Sequence, residues 1–143
     1  MSEENRRRWK CAHDQLQSGA IIDKDAVLQE LADMLFDSDV FDPITRDLEI
    51  IVCQYELNER VWGEFVALRS GHGVKAEFSK IEAPVVIIHG DYDPHPLEGV
   101  EPFLKSCVQN VTVHFIKQCG HYPWIEKHAR NHFFDLIRQE LQT

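Results

Sequence analysis

Two short runs of β-branched residues, separated by a segment with helical periodicity, constrain the fold of this chain most. Residues 85–88 read Val-Val-Ile-Ile after Pro84, and residues 111–116 read Val-Thr-Val-His-Phe-Ile. An unbroken β-branched run such as residues 85–88 is typical of a strand buried on both faces of a parallel sheet. The segment between them, residues 97–107, has inward-facing side chains at helical spacing, namely Val100, Phe103, Leu104 and Cys107. The pattern predicts a strand–helix–strand unit with parallel strands and a right-handed crossover.

A last helix is predicted over residues 126–141, and its apolar stripe consists of Ala129, Phe133, Leu136, Ile137 and Leu141. Residues 1–73 differ in character, because they show helical periodicity and almost no strand signal. We therefore predict an α/β fold in one compact domain. Its parts are a helical segment over residues 1–73 and a β-α-β-α portion with parallel strands over residues 74–143.

Four helices are predicted in the first half. The first has an apolar face made of Trp9, Ala12, His13 and Leu16, with Gly19 at its end. Asp23 or Asp25 caps the second helix, whose stripe is Leu28, Leu31, Ala32, Leu35 and Phe36. Asp42-Pro43 is typical of a helix start, and the face that follows holds Leu48, Ile51, Val52 and Tyr55. Asn58 caps the fourth helix, which carries Val61, Trp62, Phe65, Val66 and Leu68 and ends at Gly71 and Gly73. The aromatic side chains Trp9, Phe36, Trp62 and Phe65 are expected in the core.

Composition excludes several classes of partner. The formal net charge of −9 disfavours nucleic acids and anionic membranes, which both attract positive charge. No apolar run reaches about 18 residues, so no membrane span is predicted. The N-terminus lacks a signal layout, and the four cysteines form no Cys-x-x-Cys pair. These features are typical of a cytoplasmic protein with buried, reduced thiols.

An acid and a histidine follow the two predicted strands. Asp93 lies three residues beyond Gly90, and His121 lies about five residues beyond the second strand. The carboxyl ends of neighbouring parallel strands are about 4.8 Å apart, so we expect the two side chains to meet there. Asp91 leaves the same strand and is the alternative acid. His89, at the end of a buried strand, is interpreted as a hydrogen-bonded core histidine.

Residues 81–141 resemble the C-terminal end of the α/β-hydrolase superfamily. The matching motifs are Ile81-x-x-Pro84-Val-Val-Ile-Ile-His-Gly90-Asp-Tyr-Asp93-Pro94, Cys119-Gly120-His121-Tyr-Pro-Trp124-Ile-Glu126 and Phe133-Phe134-x-x-Ile137. The resemblance implies a partial α/β-hydrolase fold, with the helical first half as its cap. It also implies that Asp93 is the catalytic acid and His121 the catalytic base of an ester, thioester or amide hydrolase.

The nucleophile of such an enzyme is missing from this sequence. No Gly-x-Ser-x-Gly occurs in the 143 residues, and in the family that motif would precede Met1. We therefore expect the chain to be catalytically incomplete alone. Two alternatives stay open: a separate polypeptide supplies the nucleophile half, or the chain is a binding module without turnover.

No metal and no cofactor are predicted. His72, His95, Cys119 and His121 lack the ligand spacing of a zinc site, and His128 and His132 are expected as a solvated pair on the last helix. Tyr92 and Trp124, which flank the acid and the histidine, are candidates to line a cleft. The outer edge of the first strand has no earlier strand to pair with, and the neighbouring helices have lost the sheet face that they would cover. A homodimer or larger assembly is therefore predicted, through this strand edge or through the exposed apolar face. A small acyl compound is the expected substrate or ligand.

Overall fold

The computed structural model describes residues 3–18, 23–45, 52–70 and 73–142 of the chain. These residues form a mixed α/β structure that is mostly helical, with one parallel sheet of two strands. The elements in chain order are α1 (Glu3–Gln17), α2 (Lys24–Asp39), α3 (Tyr55–Ser70), α4 (Gly73–Phe78), β1 (Val85–Gly90), α5 (Glu101–Lys105), β2 (Val111–Ile116) and α6 (Arg130–Glu140). The predicted α/β class is therefore confirmed at this general level.

The chain divides into two compact units. The first unit comprises Met1–Ser38 and Asp47–Phe65, and the second comprises Asp39–Arg46 and Val66–Thr143. The segment 39–46 thus belongs with the strands, although it lies far from them in sequence. The domain boundary expected at residue 73 stays a prediction.

The core of the first unit lies between α1 and α2. Its buried side chains are Ala12, Leu16, Leu31 and Met34, with Trp9, Val27 and Tyr55 packed against them. Asp23 caps α2 as predicted, because its Oδ1 accepts a hydrogen bond from the backbone N–H of Ala26 at 3.0 Å. The predicted stripe is shifted, since Met34 is buried while Leu35 is 42% exposed.

The predicted helix start at Asp42-Pro43 is wrong. Residues 41–45 have bends and no helix, and Pro43 forms an isolated antiparallel bridge with Glu126. The pairing of Pro43 with Glu126, which lies far along the chain, thus prevents the helix start that the local sequence favours. Leu48 and Ile51 of the expected face, like Gly19 and Gly71, lie outside the described residues.

The boundaries of α3 also differ from the expectation. The helix begins at Tyr55, so Asn58 lies inside its first turn and does not cap it. At the start of α3, the backbone N–H of Tyr55 donates a hydrogen bond to Oδ1 of Asp25 at 2.7 Å. Gly73 begins α4, whereas the sequence pattern placed a helix end there.

The apolar stripe of α3 is exposed, so its assignment to the core is wrong in the described structure. Trp62 is 62% exposed and Phe65 is 41% exposed. The other members of the stripe, Val61, Val66 and Leu68, are exposed as well. The helical period was predicted correctly, but the side chains on this face are exposed.

The sheet has the predicted strands and direction. β1 and β2 pair in parallel, with Val85 opposite Val111 and Gly90 opposite Ile116. Most strand residues are half-buried, so the expectation that β1 is buried on both faces is wrong in the described structure. The core beside the sheet consists of Ile116, Cys119, Ala129 and Leu136, with Ile88 and Phe133 against it.

The helices of the second unit are shorter than predicted. A 3₁₀ turn at Leu97–Gly99 precedes α5, and Val100 between them is 45% exposed, not inward. A second 3₁₀ turn at Pro123–Ile125 precedes α6, which begins at Arg130. Glu126 and His128 therefore lie before the helix, and Leu141, at 82% exposure, lies after it.

Two further expectations concern cysteines and membranes. All four thiols are free, but Cys119 alone is buried, Cys53 and Cys107 are half-buried and Cys11 is exposed. The prediction of buried thiols is therefore correct for Cys119 and wrong for Cys11. Within the described residues, no helix has the length and apolar character needed to cross a membrane.

Candidate functional site

Backbone hydrogen bonds join the loops that follow the two strands. The N–H of Asp91 donates to the carbonyl of Ile116 at 2.9 Å, and the N–H of Tyr92 donates to the carbonyl of Cys119 at 2.9 Å. Gly90 makes this approach possible, because a Cβ at that position would lie 2.2 Å from the Cys119 oxygen. The parallel sheet thus brings both loops to one edge.

A tight turn after β2 directs His121 towards the β1 loop. Gln118 adopts a left-handed backbone conformation with φ of 53°. Gly120 packs closely on Asp39, since an added Cβ would lie 2.1 Å from the Asp39 carbonyl oxygen. That same oxygen accepts a hydrogen bond from the backbone N–H of His121 at 2.6 Å. The position of His121 is therefore set through its main chain.

Asp93 and His121 meet, as the strand geometry predicted. Nδ1 of His121 lies 2.8 Å from Oδ2 of Asp93. The Asp93 side chain is 7% exposed, whereas the His121 side chain is 44% exposed. Among the described residues, no hydrogen-bond partner is found for Nε2 of His121. The pair therefore has a buried carboxylate at one end and a partly exposed imidazole ring at the other.

Asp93 also accepts hydrogen bonds from His95. Its Oδ1 lies 2.8 Å from the backbone N and 2.9 Å from Nδ1 of His95. Burial alone would raise the pKa of the Asp93 carboxyl, but the hydrogen bonds from His121 and from the backbone and ring of His95 together lower it below its ordinary value of 3.8. Asp93 is therefore a carboxylate at neutral pH.

Asp91, the alternative acid, and His89 interact with groups other than the His121 ring. Asp91 accepts a hydrogen bond from the backbone N–H of Cys119 at 3.4 Å and lies 3.6 Å from Nζ of Lys117. The Asp91 carboxylate therefore interacts with Cys119 and Lys117 rather than with His121. His89 has one ring nitrogen 2.8 Å from the Gly90 oxygen and the other 2.9 Å from the His95 oxygen. This supports the interpretation of His89 as a hydrogen-bonded core residue, although a neutral ring donates only one of these bonds.

Glu126 holds the site loops against the segment after α2. The side chain is fully buried. Its Oε1 accepts hydrogen bonds from the backbone N–H groups of Phe41 at 2.7 Å and Gly120 at 2.9 Å, and its Oε2 accepts one from Asp42 at 2.7 Å. A buried carboxylate requires such donors. Glu126 therefore fixes the residue directly before His121.

A small cleft of about 190 Å³ opens beside the pair. Its polar lining includes His89, Asp93, His95 and His121, and its apolar lining includes Ile87, Ile88, Leu97, Val100 and Pro123. Tyr92 and Trp124 are not part of this lining, and their role as cleft-lining residues stays a prediction. The ring of Tyr92 packs edge-on against Phe41, and that of Trp124 packs against Tyr122 and Phe133.

The cysteine nearest to the pair in sequence is unsuited as a nucleophile. Cys119 is fully buried, and its thiol lies 3.3 Å from the carbonyl oxygen of Gly120. Burial, followed by the charges of Glu126, Asp91 and Asp93, raises the pKa of this thiol to about 12. A thiol that stays protonated reacts poorly.

The structure describes most of the histidines that the sequence analysis considered as metal ligands. His128 and His132 are both exposed, as expected of a solvated pair, but His128 precedes α6. His72 lies outside the described residues. Ligand atoms of Asp93, His95 and His121 lie within 4.8 Å of one another. His95 and His121 therefore lie together with Asp93, which the sequence analysis did not include among the possible metal ligands.

Sequence reasoning missed the roles of His95 and Glu126. For His95 a signal exists in Asp93-Pro94-His95, because an Asp before such a turn often accepts a hydrogen bond from the backbone N–H two residues later. For Glu126 no local signal exists, since two of its donors lie 84 and 85 residues away. Its placement at a predicted helix start was wrong.

Comparisons with known proteins found no match for this chain. No protein-family model matches the chain. No curated protein and no solved structure shows significant similarity to it.

Proposed function

We propose that this chain carries the acid and the base of an α/β-hydrolase-type site, with Asp93 orienting His121. The observation that carries the proposal is the 2.8 Å contact between Nδ1 of His121 and the buried Asp93 carboxylate. An ionised acceptor at Nδ1 favours the tautomer with hydrogen on Nδ1 and a lone pair on Nε2. That lone pair is the group that removes a proton from a nucleophile.

The environment of the pair supports this role. Asp93 stays ionised because its pKa is lowered, so it stabilises the imidazolium that forms when His121 takes a proton. The His121 side chain is 44% exposed, which leaves room for a hydroxyl group of a nucleophile. The adjacent cleft of about 190 Å³ has a mostly apolar lining, which suits a small acyl group. The substrate class we propose is an ester, thioester or amide.

We propose further that the 143 residues are catalytically incomplete alone. They contain no Gly-x-Ser-x-Gly, and the buried Cys119 thiol is a poor substitute. Loss of the nucleophile costs a serine hydrolase on the order of 10⁶ in turnover. A complete site would need a nucleophile from outside these 143 residues.

An esterase assay tests the incompleteness. The chain is incubated with p-nitrophenyl acetate beside two variants, His121→Ala and His128→Ala. His128 is an exposed histidine outside the site and controls for the background reaction of surface imidazoles. We expect equal rates for all three proteins, within about twofold. Turnover far above that of free imidazole, lost in His121→Ala and kept in His128→Ala, would show that the chain holds a complete site.

The acid–base role itself is tested by the tautomer of His121. Long-range ¹H–¹⁵N correlation spectra distinguish a protonated Nδ1 from a protonated Nε2. We expect neutral His121 to carry its hydrogen on Nδ1 in the unaltered chain and to lose this preference in Asp93→Asn. A neutral His121 with hydrogen predominantly on Nε2 would contradict the proposed role of Asp93.

We propose that the chain also self-associates through the free edge of β1. The N–H of Val85 donates to the carbonyl oxygen of Asn110, directly before β2, and the N–H of Asp91 donates to that of Ile116 in β2. Because successive residues of a strand alternate in direction, the N–H groups of Val86 and Ile88 face the opposite edge. Among the described residues β1 pairs with β2 alone. A second copy of the chain would satisfy these donors across a two-fold axis.

Light scattering over a dilution series tests this assembly. We expect a dimer at micromolar concentration. Val86→Pro removes one outward donor and should weaken the dimer, because proline is tolerated where the N–H faces away from the sheet. Ile87→Pro removes a donor to β2 and should disrupt the fold. A monomer at all concentrations, or a dimer unaffected by Val86→Pro, would contradict pairing through this edge.

A further inference from the structure

We propose that Asp93, His95 and His121 form a binding site for one divalent transition-metal ion, of which Zn²⁺ is the best match. The three side chains offer one carboxylate oxygen and two ring nitrogens, all within 4.8 Å of one another. This property goes beyond the hydrolase proposal and does not depend on it.

The carboxylate of Asp93 lies between the two rings. Nδ1 of His95 is 2.9 Å from Oδ1, and Nδ1 of His121 is 2.8 Å from Oδ2. The ring centroids of the two histidines are 4.6 Å apart. Zinc binds nitrogen at about 2.0–2.1 Å and carboxylate oxygen at about 2.0–2.2 Å, so the rings must turn slightly to converge. Both histidine side chains are exposed, at 62% and 44%, and this gives them room to turn.

Metal binding fixes the position of the ring hydrogens. Each imidazole binds the ion through the lone pair of Nδ1, so its hydrogen resides on Nε2. Both rings must therefore give up the hydrogen bond between Nδ1 and the Asp93 carboxylate when the ion binds.

The donor set decides which ions fit. Two imidazoles and one carboxylate suit Zn²⁺, Co²⁺ and Ni²⁺, whereas Mg²⁺ and Ca²⁺ prefer sites made of oxygen ligands. Three protein ligands leave a position for water. The bound form of His121 has its hydrogen on Nε2, so it cannot accept a proton there. Metal binding and the acid–base role of His121 thus exclude one another.

Isothermal titration with Zn²⁺ tests the site on the full chain after removal of metals with EDTA. We expect one ion bound at micromolar concentration or below. Because loss of an outer-shell partner already weakens metal binding by about 10- to 100-fold, His95→Gln and His121→Gln should each weaken it by at least about 100-fold. His132→Gln is the matched control, and it should bind like the unaltered chain. Mg²⁺ should give no binding signal.

Two outcomes would overturn the proposal. One is binding of Zn²⁺ that is no tighter than millimolar. The other is tight binding that survives His95→Gln or is lost in His132→Gln, because the ion would then lie elsewhere. Thermal melting of each variant without metal shows whether it is folded. The visible spectrum of bound Co²⁺, compared between the unaltered chain and His95→Gln, gives a second readout that needs no catalytic activity.

Discussion

Replacement of the buried Glu126 should destabilise the second unit strongly. The Glu126 carboxylate is fully buried and accepts three hydrogen bonds from backbone N–H groups. Glu126→Gln keeps the shape but places an amide NH₂ where one carboxylate oxygen was. If the amide oxygen keeps its bonds to Phe41 and Gly120, the NH₂ group faces the N–H of Asp42, and two donors then oppose each other.

The expected loss follows from the number of bonds. A hydrogen bond to a charged group contributes about 1.5–3 kcal/mol, and Glu126→Gln removes one such bond and the charge from the other two. We therefore expect a loss of about 3 kcal/mol in the free energy of unfolding. Glu126→Ala leaves three N–H groups without their partner, at about 1–3 kcal/mol each, and should cost at least about 4 kcal/mol.

Urea unfolding followed by tryptophan fluorescence measures this loss. A background with Trp9→Phe and Trp62→Phe leaves Trp124, in the second unit, as the reporter. The control is Glu98→Gln, because Glu98 is exposed and the same change there should stay within about 0.5 kcal/mol. Equal midpoints for Glu126→Gln and Glu98→Gln would refute the argument that the carboxylate holds these loops together.

Three further predictions concern the same unit and the thiols. The lowered pKa of Asp93 means that its ionised form stabilises the folded chain above its ordinary value of 3.8 and that this contribution is lost as the pH falls through the lowered value. The difference in unfolding free energy between the unaltered chain and Asp93→Asn should therefore be constant near neutral pH and shrink below pH 3.8; a difference that grows in acid would contradict this. Gly120→Ala should cost at least about 2 kcal/mol, because its Cβ would lie 2.1 Å from a backbone oxygen. Gly99→Ala, with open space around the added Cβ, should be close to neutral in the same melting experiment, and equal effects would count against the tight packing at Gly120. A thiol reagent should modify the exposed Cys11 rapidly and the buried Cys119 only after unfolding; equal rates would show that Cys119 is accessible.

The elements that follow from local chemistry were predicted well. β2 has its predicted bounds, because a segment rich in β-branched residues favours a strand by itself. The Asp23 cap was predictable because a cap depends on neighbours within three residues. The approach of Asp93 to His121 was predictable for a related reason, since parallel strands bring their carboxyl ends to one edge.

The failures share one physical cause. Asp42-Pro43 has the local signal of a helix start, but the buried carboxylate of Glu126 binds this segment in a non-helical form. The stripe of α3 around Trp62 has the period of a buried helix face and is exposed. In both cases the local pattern is compatible with more than one environment, and only contacts with residues far along the chain select between them.

The sequence by itself determined the two parallel strands and the order of acid and histidine after them, because strand propensity and loop position are local properties. The tertiary structure alone decided that Asp93 has two imidazoles on its carboxylate and that a fully buried Glu126 holds the loop before His121. These arrangements depend on hydrogen bonds between segments as many as 85 residues apart. Such bonds form only where folding has removed water and brought the segments within about 3 Å, and neither condition is visible in residue order.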